Sequence, residues 1–409
     1  MNSPSKHRSP LSHSPLWLSC CLGGLVACLI AFPKGGIKVY DIPVTWSYFY
    51  VGFGALLPVL FTFLSGKVVL NSIRFVSLLA LVPIQTLILF SLKTEGYDDF
   101  GNAVALVVNW FVLPILLIVV WGVLFDAYPV DTLFLALRVV LPCIAFYGLV
   151  LFIYRQVTGD FFQIPYLTVN VDDMGTLSEK HNMRGDTSKL IATYNNGNIY
   201  GVCTLMLYPL YRTLEKRLIP QWIILMALIL TLSRTVWIGI ILCELFQLLW
   251  VQKTNWQMAI KRLAFLLLPA GLGVGVFVFM GYDLGFVLDP NLGGRIPQFD
   301  VIGKISLIRF ESFDVIQEIV YLSVLNLYGA LGLFFWILGL LSCIVLYYLG
   351  RLNARIPETK KAIILGLLVY MVLSGSDGAF LLIPTMAIFW LLSSLLLSPH
   401  GATRRLPPL

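Results

Sequence analysis

Arg234 stands between two apolar runs, LIPQWIILMALILTLS and TVWIGIILCELFQLLWV, that leave almost no polar residue for the turn joining them. A guanidinium so close to hydrocarbon is costly unless it reaches water or meets an anion. Its fork of N–H donors fits two oxygens of a phosphate at once, so anion binding is the chemistry this residue suggests, with an interfacial anchor as the plain alternative. Upstream, Tyr194-Asn195-Asn196-Gly197-Asn198 sets three amides and a glycine at the entrance to an apolar run. Asn195, Asn196 and Asn198 offer donors and acceptors to a sugar or phosphate, and an ordinary helix cap competes with that reading. Two polar stretches carry the remaining candidates. The first holds Asp172, Asp173, Arg184, Asp186 and Lys189, and alternating Tyr166, Thr168 and Asn170 in it hint at a short strand or lip. In the second, RFESFDVIQE spaces Glu311, Asp314 and Glu318 three and four apart, one face if helical. Glu318 differs because apolar sequence follows at once, and partial desolvation would raise its carboxyl toward the range of a general base. His181 sits in a Glu-Lys-His-Asn context that reads as exposed loop. No Walker A, Rossmann fingerprint, H-E-x-x-H or supported carboxylate pair is present, so no cofactor and no metal site is expected.

These residues need elements to position them, and composition says which. The 409 residues are 58% hydrophobic and 12% charged, with mean hydropathy +0.87, which excludes a soluble, disordered or collagen-like chain. Long uncharged runs recur from Leu16 to Leu397, so the expectation is an all-α polytopic membrane protein. Runs lie at about 16–32, 44–65, 70–92, 102–125, 132–154, 196–212, 219–233, 235–251, 263–281, 319–349, 362–376 and 379–397, about twelve transmembrane helices in a single domain over 16–397. The run 319–349 exceeds one crossing and is expected to begin outside the hydrocarbon core. Residues 1–15 and 398–409 read as tails, the first disordered. No internal repeat is visible, and Leu16 to Phe32 lacks a cleavage signature, so it reads as a retained span.

The net charge of +7 comes from 28 Lys and Arg spread over span ends and short loops, with no basic domain; nucleic acid is not an expected partner, and topology explains the excess. With both termini in the cytoplasm, more of these cations fall inside than outside, and the polar stretches at about 155–195 and 282–318 emerge on the outer face. Loops of that length tend to be functional. The seven cysteines all lie in apolar runs and read as small core residues. Arg138 and Glu244 are the clear charges deep in spans. For Glu244, pairing or a wet crevice competes with a transport role.

Three patches resemble the superfamily of O-antigen ligases and Wzy-type polymerases: TYNNGNIYG at 193–201, like its T-x-x-N-x-N-x-x-G entrance to a central span; LTLSRTVWIGIIL at 230–242, like its S-R-[GT]-x-W/L element; and EIVYLSVLNLYGALGLFFWILGLL at 318–341, like its Y-L-x-x-L-x-x-x-G-x-x-G helix. The resemblance spans about 190–350, and the N-terminal third matches only in hydropathy. It implies a GT-C-like glycosyltransferase of the bacterial inner membrane, with two long periplasmic loops, acting on a glycan carried by undecaprenyl pyrophosphate without a nucleotide sugar or cofactor. It maps pyrophosphate binding onto Arg234, and onto Arg184 and Arg309 by loop context. Glu318 occupies the position where ligases carry a histidine, which favours a polymerase of lipid-linked repeat units over a ligase. A flippase and a chain-length regulator would then be partners. A lipid-linked oligosaccharide flippase or secondary transporter is the reading from another class; it requires charged residues facing a mid-membrane cavity.

Overall fold

Hydrocarbon gives a backbone N–H or C=O no partner, so an apolar run closes its own hydrogen bonds as a helix. The computed structural model describes residues 16–39, 42–67, 71–94, 100–175, 177, 182–184, 187–252, 295–310, 319–351, 355–376 and 383–399, with isolated positions between 256 and 275. Within them the apolar runs are helical: α1 Leu16–Ala31, α2 Trp46–Leu64, α3 Ser72–Leu79, α4 Val82–Thr94, α5 Phe100–Ala127, α6 Asp131–Thr158, α7 Gly197–Leu214, α8 Leu218–Ile229, α9 Arg234–Val251, α10 Val320–Leu349, α11 Glu358–Leu373 and α12 Ile383–Leu397. Strands are few: a hairpin of β1 Gly36–Val39 and β2 Ile42–Thr45, with Ile37 opposite Val44, and a two-residue pair of β3 Met183–Arg184 and β4 Thr187–Ser188.

Among the described residues, α2, α5, α6, α9 and α10 are long and apolar enough to cross a membrane, and the bent pair α3–α4 would make six. Length and composition thus support fewer crossings than the twelve expected. The run at 70–92 breaks at Ala80-Leu81 with a 40° bend, α1, α8 and most of α12 are apolar but short, and 263–281 lies outside the described residues apart from isolated positions.

The core is built round α7 and α12. Every side chain from Ile199 to Arg212 and from Pro384 to Ser398 is buried, which is why α7 tolerates Tyr, Thr and Pro that would be poor lipid-facing residues. Gly366 lets α11 approach α7 closely: a Cβ there would stand 2.1 Å from the Met206 carbonyl oxygen. Trp110, Trp336 and Trp390 join α5, α10 and α12, with ring centroids 4.1 Å and 5.8 Å from Trp110, and the Trp390 indole donates to the Asn109 carbonyl at 2.8 Å.

The run from Ile319 is one long helix broken at Gly329, whose φ of +73° and ψ of −171° interrupt α10. The second part restarts with its first two N–H groups satisfied, because Ala330 and Leu331 donate to the carbonyls of Ser306 and Leu307, each at 3.0 Å. From Ala330 to Leu349 is about twenty residues, or about 30 Å of helix, one hydrocarbon thickness. The run is therefore longer than one crossing and is divided at Gly329.

One end of the bundle is closed by buried ion pairs. Arg74 grips Asp126 with Nε at 2.8 Å and Nη2 at 2.6 Å while Nη1 donates to Ser394 Oγ and the Ile118 carbonyl. Lys360 donates to the carbonyls of Leu395, Leu396 and Ser398, capping α12. Arg138 meets Glu215 at 3.2 Å, and Glu244 takes hydrogen bonds from Arg212 and, at 2.6 Å, from Tyr208. Arg138 and Glu244 are therefore paired between helices.

Candidate functional site

At the opposite end the polar loops fold onto the helix entrances. The β1–β2 hairpin bridges to the 159–196 segment through Gly36 and Asn170, and the Trp46 indole donates to the Tyr166 carbonyl at 2.6 Å. Leu190 N–H donates to Leu230 in the α8–α9 turn at 2.9 Å, and the Asn182 amide donates to the Asn195 carbonyl at 3.0 Å. Thr235 and Ser376 share a hydrogen bond of 2.9 Å that joins α9 to the end of α11, and Val320 N–H donates to Ser374 at 3.1 Å. The expected lip at 166–170 is a turn closed by isolated bridges, not a strand, since Tyr166 takes φ of +62°.

This end also carries the strain. Among the described residues, the non-glycine positions with positive φ are Tyr166, Ala192, Asn195 and Leu232, and all four lie here. Each costs about 1–3 kcal/mol, and such residues gather where a site must be held ready. Leu232 at φ +51° forms the turn that delivers Arg234 as the first residue of α9, half-buried at the bundle end.

The asparagines divide their work. Asn196 is the cap of α7: its side-chain oxygen accepts from Asn198 N–H at 2.9 Å and Ile199 N–H at 3.2 Å, so only its NH2 group could meet a ligand. Asn195 supplies the left-handed turn before it, and Asn198, half-buried, opens the first helical turn. Gly197 is needed between them, because a Cβ would come 2.8 Å from the Leu190 carbonyl oxygen. The α7 and α9 entrances are neighbours, since that same Cβ would lie 3.4 Å from the Thr231 carbonyl oxygen. Two helix N-termini and Arg234 thus give this corner a positive potential suited to an anion.

The structure does not gather all the expected residues. Arg309 stands next to Phe310, whose ring centroid lies 4.7 Å from that of Phe90 in α4. Arg184 is placed by backbone alone, opposite Thr187 in the β3–β4 pair. Glu318, with Glu311 and Asp314, lies outside the described residues, as do His181 and Asp186. Ile319, next to Glu318, is fixed by the Gln298 side chain, which accepts its N–H at 3.2 Å.

Residues to which sequence reasoning gave no binding role also stand here. Lys34 follows α1 and lies within electrostatic reach of Cys203, well inside α7. Lys189 is buried. Both amide atoms of Asn170 and the hydroxyl of Thr193 are buried with no hydrogen-bond partner among the described residues, and such groups are costly unless a ligand or water completes them. A Pro-Lys-Gly after a span and an amide in an alternating stretch were the available signals, and neither is specific.

Between α9 and α11 runs a groove of about 1000 Å³, lined by Leu242, Phe246, Trp250, Tyr321, Leu368 and Val372 among other apolar residues. Phe246 and Val372 are exposed at its edge, so it opens sideways onto the helix surface. The Thr235–Ser376 bond crosses from α9 to α11 above it, one residue from Arg234, and the Tyr321 hydroxyl donates to the Met371 carbonyl at its rim. Arg234 begins α9 two turns before Leu242, the first α9 residue of this apolar trough.

No family model, no curated protein and no solved structure matches this chain.

Proposed function

We propose that the chain is an inner-membrane glycosyltransferase of the GT-C-like, Wzy-type kind, joining lipid-linked glycan repeat units at the periplasmic face. In this reading it crosses the membrane about twelve times with both termini cytoplasmic, and the loop-rich end faces the periplasm. The observation that carries it is Arg234 at the head of α9, above the sideways-opening apolar groove between α9 and α11. That geometry suits one class of ligand, an amphiphile with an anionic head and a long hydrocarbon tail, as undecaprenyl pyrophosphate is.

The acceptor sugar's hydroxyl oxygen attacks the anomeric carbon of the donor glycan. The bond from that carbon to the pyrophosphate oxygen breaks, the configuration inverts, and the lipid pyrophosphate leaves with the bonding electron pair. The hydroxyl proton passes to Glu318. Arg234 and the two helix entrances stabilise the charge that develops on the leaving group, which needs positioning more than covalent help. Asn195, Asn198 and the NH2 group of Asn196 hold sugar hydroxyls or phosphate, and Arg184 and Arg309 are further phosphate ligands. A transporter is less well supported, because the deep charges it would use are locked in helix-to-helix pairs.

The test is Arg234→Ala in the producing strain at equal expression. Loss of long polymer with single repeat units still attached supports a polymerase. Loss of all attached glycan with lipid-linked glycan accumulating points to a ligase, and unchanged polymer length and amount rejects the assignment. Movement of labelled substrate across reconstituted vesicles without change in chain length would identify a flippase.

A further inference from the structure

The segment 295–310 looks at first like a solvated loop, with Arg295, Asp300, Lys304 and Arg309 along it. Its surface argues otherwise. Ile296, Phe299, Ile302, Ile305, Leu307 and Ile308 are all exposed, Leu307 by 71%, while Val301 alone is buried, against Ile319, Leu322 and Leu325. Water would not tolerate so continuous an apolar surface cheaply.

Its depth is fixed by two separate contacts. Ser306 and Leu307 cap α10 at Ala330 and Leu331, where one hydrocarbon thickness of helix begins. Phe310 packs on Phe90, one turn before the end of α4. Both put the segment beside the ends of membrane helices, continuous with the lipid-facing side of α10, where Phe334 is exposed. Its charge is three cations to one anion, complementary to phosphate headgroups.

We infer that residues 295–310 lie in the outer membrane interface, apolar side chains among the upper acyl chains and Lys304 and Arg295 toward anionic phospholipid headgroups. The occupant of this surface is the bilayer itself, and the inference is independent of glycosyl transfer. Because the same residues supply the carbonyls that restart α10 after Gly329, lipid that holds the segment also holds the break.

The full chain, with its seven cysteines replaced by alanine, is spin-labelled singly at Ile302→Cys, Leu307→Cys and Asp160→Cys, the last a solvated control. It is reconstituted in phosphatidylcholine with or without phosphatidylglycerol. Oxygen collisions should exceed those with a water-soluble nickel chelate several-fold at 302 and 307 and fall below them at 160. Phosphatidylglycerol should deepen 302 and 307, and Lys304→Glu should abolish that gain. Nickel-favoured collisions at both sites overturn the interfacial location, and indifference to phosphatidylglycerol overturns the headgroup contact. On the native chain, a phospholipid carrying a photoreactive group near its headgroup should cross-link within 295–310. Absence of cross-links there, with α10 labelled, overturns the inference without any substitution.

Discussion

A buried charge is tolerable when its partner is fixed, and Arg74 and Asp126 meet that condition with two short hydrogen bonds and two further acceptors for the guanidinium. Asp126→Asn should cost about 3–5 kcal/mol, because it strands a cation in the interior, and replacing both partners by apolar residues of similar size should recover most of that. Thermal unfolding of the solubilised protein measures both. Glu215 behaves differently. The Arg217 guanidinium 2.8 Å away, helped by Arg138, holds its carboxyl at about 2 against the opposing effect of burial. Since that lies below the value near 4.3 of an unfolded glutamate, the pair stabilises the fold above that pH and is lost as pH falls toward 2. The wild-type melting temperature should therefore drop between about pH 5 and pH 2, and Glu215→Gln should flatten that part of the profile. Of the candidate site, Arg234 was legible because one cation between two apolar runs has nowhere ordinary to go. Asn196 was legible only as an ambiguity, since capping and sugar binding call for the same side chain, and hydrogen bonds rather than composition separate them.

Elements show the same mixture. The positions of the apolar runs follow from hydropathy, and the described runs are helices where the sequence placed them. Their interruptions are not encoded by hydropathy: one is local and the other tertiary. The 40° bend between α3 and α4 follows from Pro83, which has no N–H for the Leu79 carbonyl and crowds the preceding turn, whereas the α10 break depends on carbonyls more than twenty residues upstream. Gly329 itself is readable only once its φ is known. A Cβ there would stand 2.8 Å from the Ser306 and Leu307 carbonyl oxygens, in a backbone region side chains disfavour. Gly329→Ala should cost about 1–3 kcal/mol from the backbone alone. It should also free the 295–310 segment, seen as a lower melting temperature together with faster proteolysis at Lys304.

For the molecule as a whole, the two ends contrast. One is closed by ion pairs and a lysine-capped helix. The other collects the positive φ values and, among the described residues, the Asn170 amide buried without a partner, and its 159–167 stretch is largely exposed. Exposed backbone of that second kind opens locally at low cost, so native-state hydrogen exchange should be faster through 160–167 than in α12 near Ser394. The groove between α9 and α11 adds a consequence of its geometry. With the helices in a bilayer, its mouth would face neighbouring acyl chains, so a molecule reaching it would travel within the leaflet and search in two dimensions. Occupancy then follows the molecule's mole fraction among lipids, and added bilayer, not added buffer, is what dilutes it.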